Sequence, residues 1–179
     1  MKSLTVFFIF VLTFCGCKQY KGTDTKEVKN APEKTSKKTN FEQTKFVSKY
    51  KFEQFPVNKI GSKKPGLKLN TKQSSFSKRF KTMINQSFEK EPINFAGKYV
   101  LSYWGCGSPC QVGIAINAEN GKLIELPSAG SGYEYRKDSR LLVLNPPDSL
   151  DYYIKDCEWC KPELYLLDTI KNSFIKLEE

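Results

Sequence analysis

The spacing of apolar residues changes repeatedly along the chain, and each change marks an element. Leu4 to Phe14 is an unbroken apolar run of eleven residues. A membrane-spanning helix needs roughly 20, so this length suits the hydrophobic part of a signal peptide, preceded by the short positive stretch Met1-Lys2-Ser3. From residue 18 to 45 Lys, Thr, Glu and Asn dominate. Such a segment buries too little surface to offset its ordering entropy and reads as a disordered tether. Aromatics return at Phe46, Tyr50, Phe52 and Phe55. Tyr50 and Phe52 flank Lys51, the alternation of an edge strand that Pro56 ends. Gly61 to Asn70 reads as a loop with a Pro65-Gly66 turn.

Between Ser74 and Glu89 the apolar positions Phe76, Phe80, Met83, Ile84 and Phe88 form one stripe of a helix, with Lys78, Arg79 and Lys81 off it. Pro92 lies just past its end. A basic amphipathic helix can lie on a membrane. The favoured reading is a cover for a sheet, because the period then falls to two. Phe95 to Trp104, Gln111 to Ala118, Lys122 to Leu126, Tyr133 to Arg136, Arg140 to Asn145, Asp151 to Lys155, Glu163 to Asp168 and Phe174 to Leu177 read as strands. Asn120-Gly121 predicts a two-residue hairpin turn with positive φ at both positions. Ala118 to Lys122 and Lys137 to Val143 are locally similar to β-propeller hairpins, but a propeller needs at least four blades of roughly 40 residues. The short loops predict an α+β domain over residues 46–179: an antiparallel meander covered by one amphipathic helix. Tyr99, Leu101, Trp104, Ile114, Ile116, Leu142 and Leu144 are its expected core.

Charge divides the chain of 179 residues. Residues 18–92 hold 19 Lys and Arg against 7 Asp and Glu, and residues 93–179 hold 9 against 12. The basic half suits a solvated tether near anionic head groups. Nucleic acid is the rival partner for such charge, and the export signal argues against it. Histidine is absent, which removes the commonest general base and metal ligand.

Phe14-Cys15-Gly16-Cys17 resembles the lipobox of bacterial lipoproteins, although Phe14 stands where an aliphatic residue is usual. The resemblance implies cleavage after residue 16, a lipid on Cys17 and a membrane-anchored, exported chain whose tether spans residues 17–45. Residues 56–146 resemble a family of uncharacterised bacterial exported proteins. The matching pieces are Asn94-Phe95-Ala96-Gly97-Lys98-Tyr99, Trp104-Gly105-Cys106-Gly107-Ser108-Pro109-Cys110, and Tyr135-Arg136-Lys137-Asp138-Ser139-Arg140-Leu141-Leu142-Val143. That resemblance implies an envelope location and no defined activity.

Four cysteines belong to the domain: Cys106, Cys110, Cys157 and Cys160. In an exported protein they read first as two disulfides, with three pairings open and local pairing the simplest. A structural zinc site has the wrong spacing for zinc-ribbon knuckles. A redox dithiol at Cys157-Glu158-Trp159-Cys160 lacks the following helix that lowers a thiol pKa. Ser75-Phe76-Ser77-Lys78 and Ser48-Lys49-Tyr50-Lys51 fit S-x-x-K without its companion motifs. The glycine pairs 105/107 and 130/132 open no helix. Asp138, Asp148, Asp151 and Asp156 are not placed face to face by their spacing.

The candidate contact residues are therefore Trp104, Tyr133, Tyr135, Arg136 and Arg140, around the loops at 105–110 and 127–135. These support a non-enzymatic binding domain for a protein or glycan partner, without cofactor or metal. A thiol or zinc protein, or an inhibitor of an envelope hydrolase, is the alternative.

Overall fold

Two antiparallel sheets lie face to face and are covered on their outer faces by different parts of the basic segment. The computed structural model describes residues 41–179; the expected signal peptide, Cys17 and most of the tether lie outside them. In chain order the elements are β1 (Gln43–Lys45), α1 (Ser75–Arg79), α2 (Lys81–Lys90), β2 (Tyr99–Gly107), β3 (Cys110–Asn117), β4 (Leu123–Glu125), β5 (Tyr133–Tyr135), β6 (Leu141–Leu144), β7 (Tyr152–Ile154), β8 (Glu163–Asp168) and β9 (Ser173–Lys176). One sheet has the order β2-β3-β4 and the other β5-β6-β8-β9, while β1 pairs with β7 alone. Every pairing is antiparallel.

Alternation of side chains gives each strand two faces. Tyr99, Leu101, Ala115, Ile124, Leu142, Leu144 and Leu167 pack between the sheets, joined by Phe95 and Tyr133. Val100, Ile114, Ile116 and Leu123 face the other way, toward Ile84, Phe76, Phe80 and Phe88 of the helices. Leu141, Val143 and Leu164 form the outer face of the second sheet, beneath Phe46, Tyr50, Phe52 and Phe55. Burial on both faces explains why Leu141–Leu144 is continuously apolar. The expected core residues are buried except Trp104, which is half-buried between Phe76 and Phe80 at ring distances of 5.9 and 5.1 Å.

Several details differ from the pattern-based expectation. The meander divides into two packed sheets. The expected helix is two segments meeting at Phe80 (φ −100°, ψ 18°). Its covering row is Phe76, Phe80, Ile84 and Phe88, spaced by four, whereas Met83 falls at the exposed rim. No strand forms at Tyr50–Phe52. Gln54 Oε1 accepts from Lys51 N at 2.6 Å and closes a 3-10 turn over Phe52–Gln54. Three residues of the expected tether form β1 instead.

The turn chemistry is also redistributed. At the β3–β4 hairpin only Gly121 has positive φ (73°), because Asn117 Oδ1 accepts from Glu119 N and Asn120 N and winds the loop over Ala118–Gly121. Two successive left-handed residues occur at Ala96 and Gly97 (φ 44° and 74°), which delays β2 to Tyr99. A Cβ on Gly97 would stand 2.5 Å from Lys59 O. The Asn-Phe-Ala-Gly-Lys-Tyr stretch is thus architectural. Phe95 and Tyr99 are core, and the turn between them docks on Arg136 O and Lys137 O through the amides of Ala96 and Gly97.

Candidate functional site

Three loops lie side by side where β2 and β3 run out of their sheet. The hairpin tip carries the Cys106–Cys110 disulfide, with Cα atoms 5.1 Å apart. The next residue, Gln111, exchanges both main-chain hydrogen bonds with Ala129, at 2.7 and 3.0 Å, which fastens the tip to the Gly/Ser loop 127–132. The Tyr133 hydroxyl donates toward Pro127 O (2.7 Å) and Gln111 O (3.0 Å). Burial pushes its pKa up to about 12, so the phenol stays a neutral donor across the ordinary pH range.

Asn145 ties the same loop to the third one. Its Oδ1 accepts from Gly130 N (2.8 Å) and Ser131 N (2.9 Å), and its Nδ2 donates to Lys161 O (3.0 Å). Lys161 follows Cys160, which is bridged to Cys157 across a 3-10 turn with Cα atoms 5.2 Å apart. Trp159 of that turn rests on Gly130, where an added Cβ would meet Trp159 O at 2.5 Å and Cε3 at 2.9 Å. Trp159 keeps 52% of its surface exposed, and Tyr103, whose ring lies 5.1 Å from that of Tyr133, keeps 42%. Residues 105–110 and 127–132 carry no charged side chain. The result is a surface of small residues from the first two loops, braced by two disulfides, with the Trp159 indole projecting from the third beside the exposed charges Glu158 and Lys161.

The candidate contact residues are only partly brought together. Tyr133 supports the loops from below. Trp104 points to the opposite face of β2, under the helices. Tyr135 lies between the sheets, edge-on to Phe95 at 6.1 Å. Arg136 pairs with Glu53 at 2.6 Å and lies over the Phe52 ring at 4.4 Å. Arg140 donates to Leu167 O at 3.3 Å. The two arginines therefore brace remote segments and do not rim one loop. Ser139 between them is buried and donates to Phe52 O and Phe55 O. Asp148 caps its own turn by accepting from Leu150 N and Tyr152 N. Asn145 and Trp159 were not among the expected contacts. Only the Pro-Pro after Asn145 and the Cys-x-x-Cys around Trp159 hint at them.

In the bridged state none of the four sulfurs is a thiolate for a metal or a redox partner. Among the described residues no group of three or more Cys, Asp or Glu is placed to hold a metal, and no helix is long and apolar enough to cross a membrane. Cavities of about 980, 510 and 210 Å³ lie beside the residue 56–65 segment, beneath residues 45–53 and at the edge of β2, and none includes the three loops. No protein-family model, curated protein or solved structure matches the chain.

Proposed function

We propose that the chain is an exported lipoprotein, held at the membrane by a lipid on Cys17, whose domain binds a protein or glycan of the envelope through the three braced loops. The lipobox-like Phe14-Cys15-Gly16-Cys17 supports the anchor. The placement of Trp159 carries the binding reading. A large aromatic stays half-exposed on a turn that a disulfide, Gly130 and Asn145 hold in one position. Ordering such a surface beforehand lowers the entropic cost of binding, and Trp and Tyr dominate the energetics of protein interfaces. A braced patch with an exposed indole, apart from the three cavities described above, suits a macromolecular partner better than a small ligand, which requires a concave site.

The test is site-specific photo-crosslinking of the full chain in its own cells. A photoreactive residue at Ser108 or Trp159 should trap one common partner. The same residue at Lys171 should not, because β8 begins beside Cys160 and Lys171 lies in the turn beyond its far end. Adducts from all three positions, or from none, would refute the assignment. The Cys17→Ser variant should leave the membrane fraction.

A further inference from the structure

β2 is the edge strand of its sheet, and its outward backbone is covered over only part of its length. The neighbouring strand fixes which groups point outward. Asn117, Gly113 and Gln111 of β3 turn their main-chain groups away from β2, to Lys122, Leu126 and Ala129. Their partners across the ladder are Tyr99, Tyr103 and Gly105. In an antiparallel pair such residues turn their own amides and carbonyls outward, as does Leu101 between them. Tyr99 is paired by Phe95, and Leu101 by the carboxamide of Asn94, which donates to Leu101 O and accepts from Leu101 N as a strand residue would. Beyond Asn94, Tyr103 and Gly105 have no main-chain partner on that side among the described residues.

The geometry points to this open edge as a docking site for an extended segment of a protein partner. The segment enters in line with Asn94 and adds a strand to Tyr103 and Gly105. An exposed edge is a ready template for pairing, and natural domains usually blunt it. Here Asn94 closes one end and the bridged tip Cys106–Cys110 the other, so the added strand is short, about 3.3 Å per residue over three residues. A cavity of about 210 Å³ adjoins the edge, lined by Leu101, Tyr103 and Tyr135 together with Glu91, Asn94 and Ser102. It has room for one apolar side chain of the guest. The exposed Glu91 carboxylate favours a Lys or Arg beside that side chain. This inference rests on the proposal that the domain binds a protein, and it names the partner's conformation and chemistry.

The experiment selects phage-displayed random heptapeptides on the full chain, then measures amide hydrogen exchange with the enriched peptide. In the free chain the amides of Tyr103 and Gly105 should exchange quickly and that of Leu101 slowly. Saturating peptide should slow the first two at least tenfold, and the enriched sequences should place an apolar residue next to a basic one. N-methylation of the central peptide amide should weaken binding at least tenfold. So should Gly105→Pro, which removes an outward N–H without touching the β3 ladder, at a position where an added Cβ meets nothing within 4 Å. Failure to enrich any peptide, or binding without protection at Tyr103 and Gly105, would overturn the inference. So would a dimer in sedimentation with these amides already protected, because a second copy would then occupy the edge. The crosslinks at Ser108 and Trp159 need no strand pairing, so their persistence alongside unprotected amides removes this inference and leaves the broader function standing.

Discussion

The carboxamide of Asn94 holds both main-chain groups of Leu101, accepting from its amide at 2.7 Å and donating to its carbonyl at 3.0 Å. Leu101 is fully packed between the sheets, so Asn94→Ala leaves a donor and an acceptor without partners. Orphaning such groups costs about 1–3 kcal/mol. The urea midpoint should fall accordingly with an unchanged m-value, and the Leu101 amide should lose its exchange protection. A midpoint like that of the parent chain would show that water replaces the side chain at no cost.

Reduction should loosen the loops and spare the fold. The two bridges span sequence separations of only 4 and 3 residues. In the chain-entropy account each such short loop is worth about 2 kcal/mol, against about 4.7 for a loop of 100 residues. The three packed apolar clusters do not depend on either bridge. Circular dichroism of the reduced, alkylated chain should keep its β signal, with a lowered melting temperature and faster proteolysis near residues 106–110 and 157–160. Global unfolding on reduction would contradict this.

The strands were legible because their side chains alternate locally: Tyr99 and Leu101, Ile114 and Ile116, Leu142 and Leu144 declare a common face without knowledge of partners. The division into two sheets was not legible. The chain changes sheets within loop 127–132, whose Gly and Ser announce a turn but not which strand the next segment pairs with. Asn120-Gly121 is a strong hairpin signal, yet Asn117 captures the preceding amides and makes the loop longer. The site was half legible. Loops 105–110 and 127–132 are recognisable by their small residues. Arg136 and Arg140 instead reach Glu53 and Leu167, contacts 83 and 27 residues away that no local pattern encodes.

Gly130→Ala tests whether the projecting indole is held by close approach. The new methyl would stand 2.5 Å from Trp159 O and 2.9 Å from Cε3, so the 157–160 turn must shift. Forcing a methyl into packed surroundings costs about 1–3 kcal/mol. Crosslinking from Ser108 should drop several-fold while the far-UV spectrum is unchanged, and the emission of Trp159 should change in a Trp104→Phe background. Full crosslinking in this variant would show that partner capture does not depend on the position of Trp159.

Alkali should destabilise the domain through its buried phenols. Burial raises the pKa of Tyr133 from 10.0 to about 12, and raises those of Tyr99 and Tyr135 in the same direction. Between the unfolded and folded values the native state holds protons that the unfolded chain has released. Unfolding then releases protons, and stability falls with rising pH. The contribution of Tyr133 is fully present below pH 10 and is lost as the pH climbs from 10 through about 12. Urea midpoints should therefore decline across that window. Absorbance at 295 nm should show a fraction of the tyrosines ionising late. Tyr133→Phe removes a titrating group as well as the hydrogen bonds to Gln111 O and Pro127 O. It should lower stability at neutral pH and flatten the alkaline decline. A decline as steep as in the parent chain would mean that other groups, not this phenol, govern the alkaline limb.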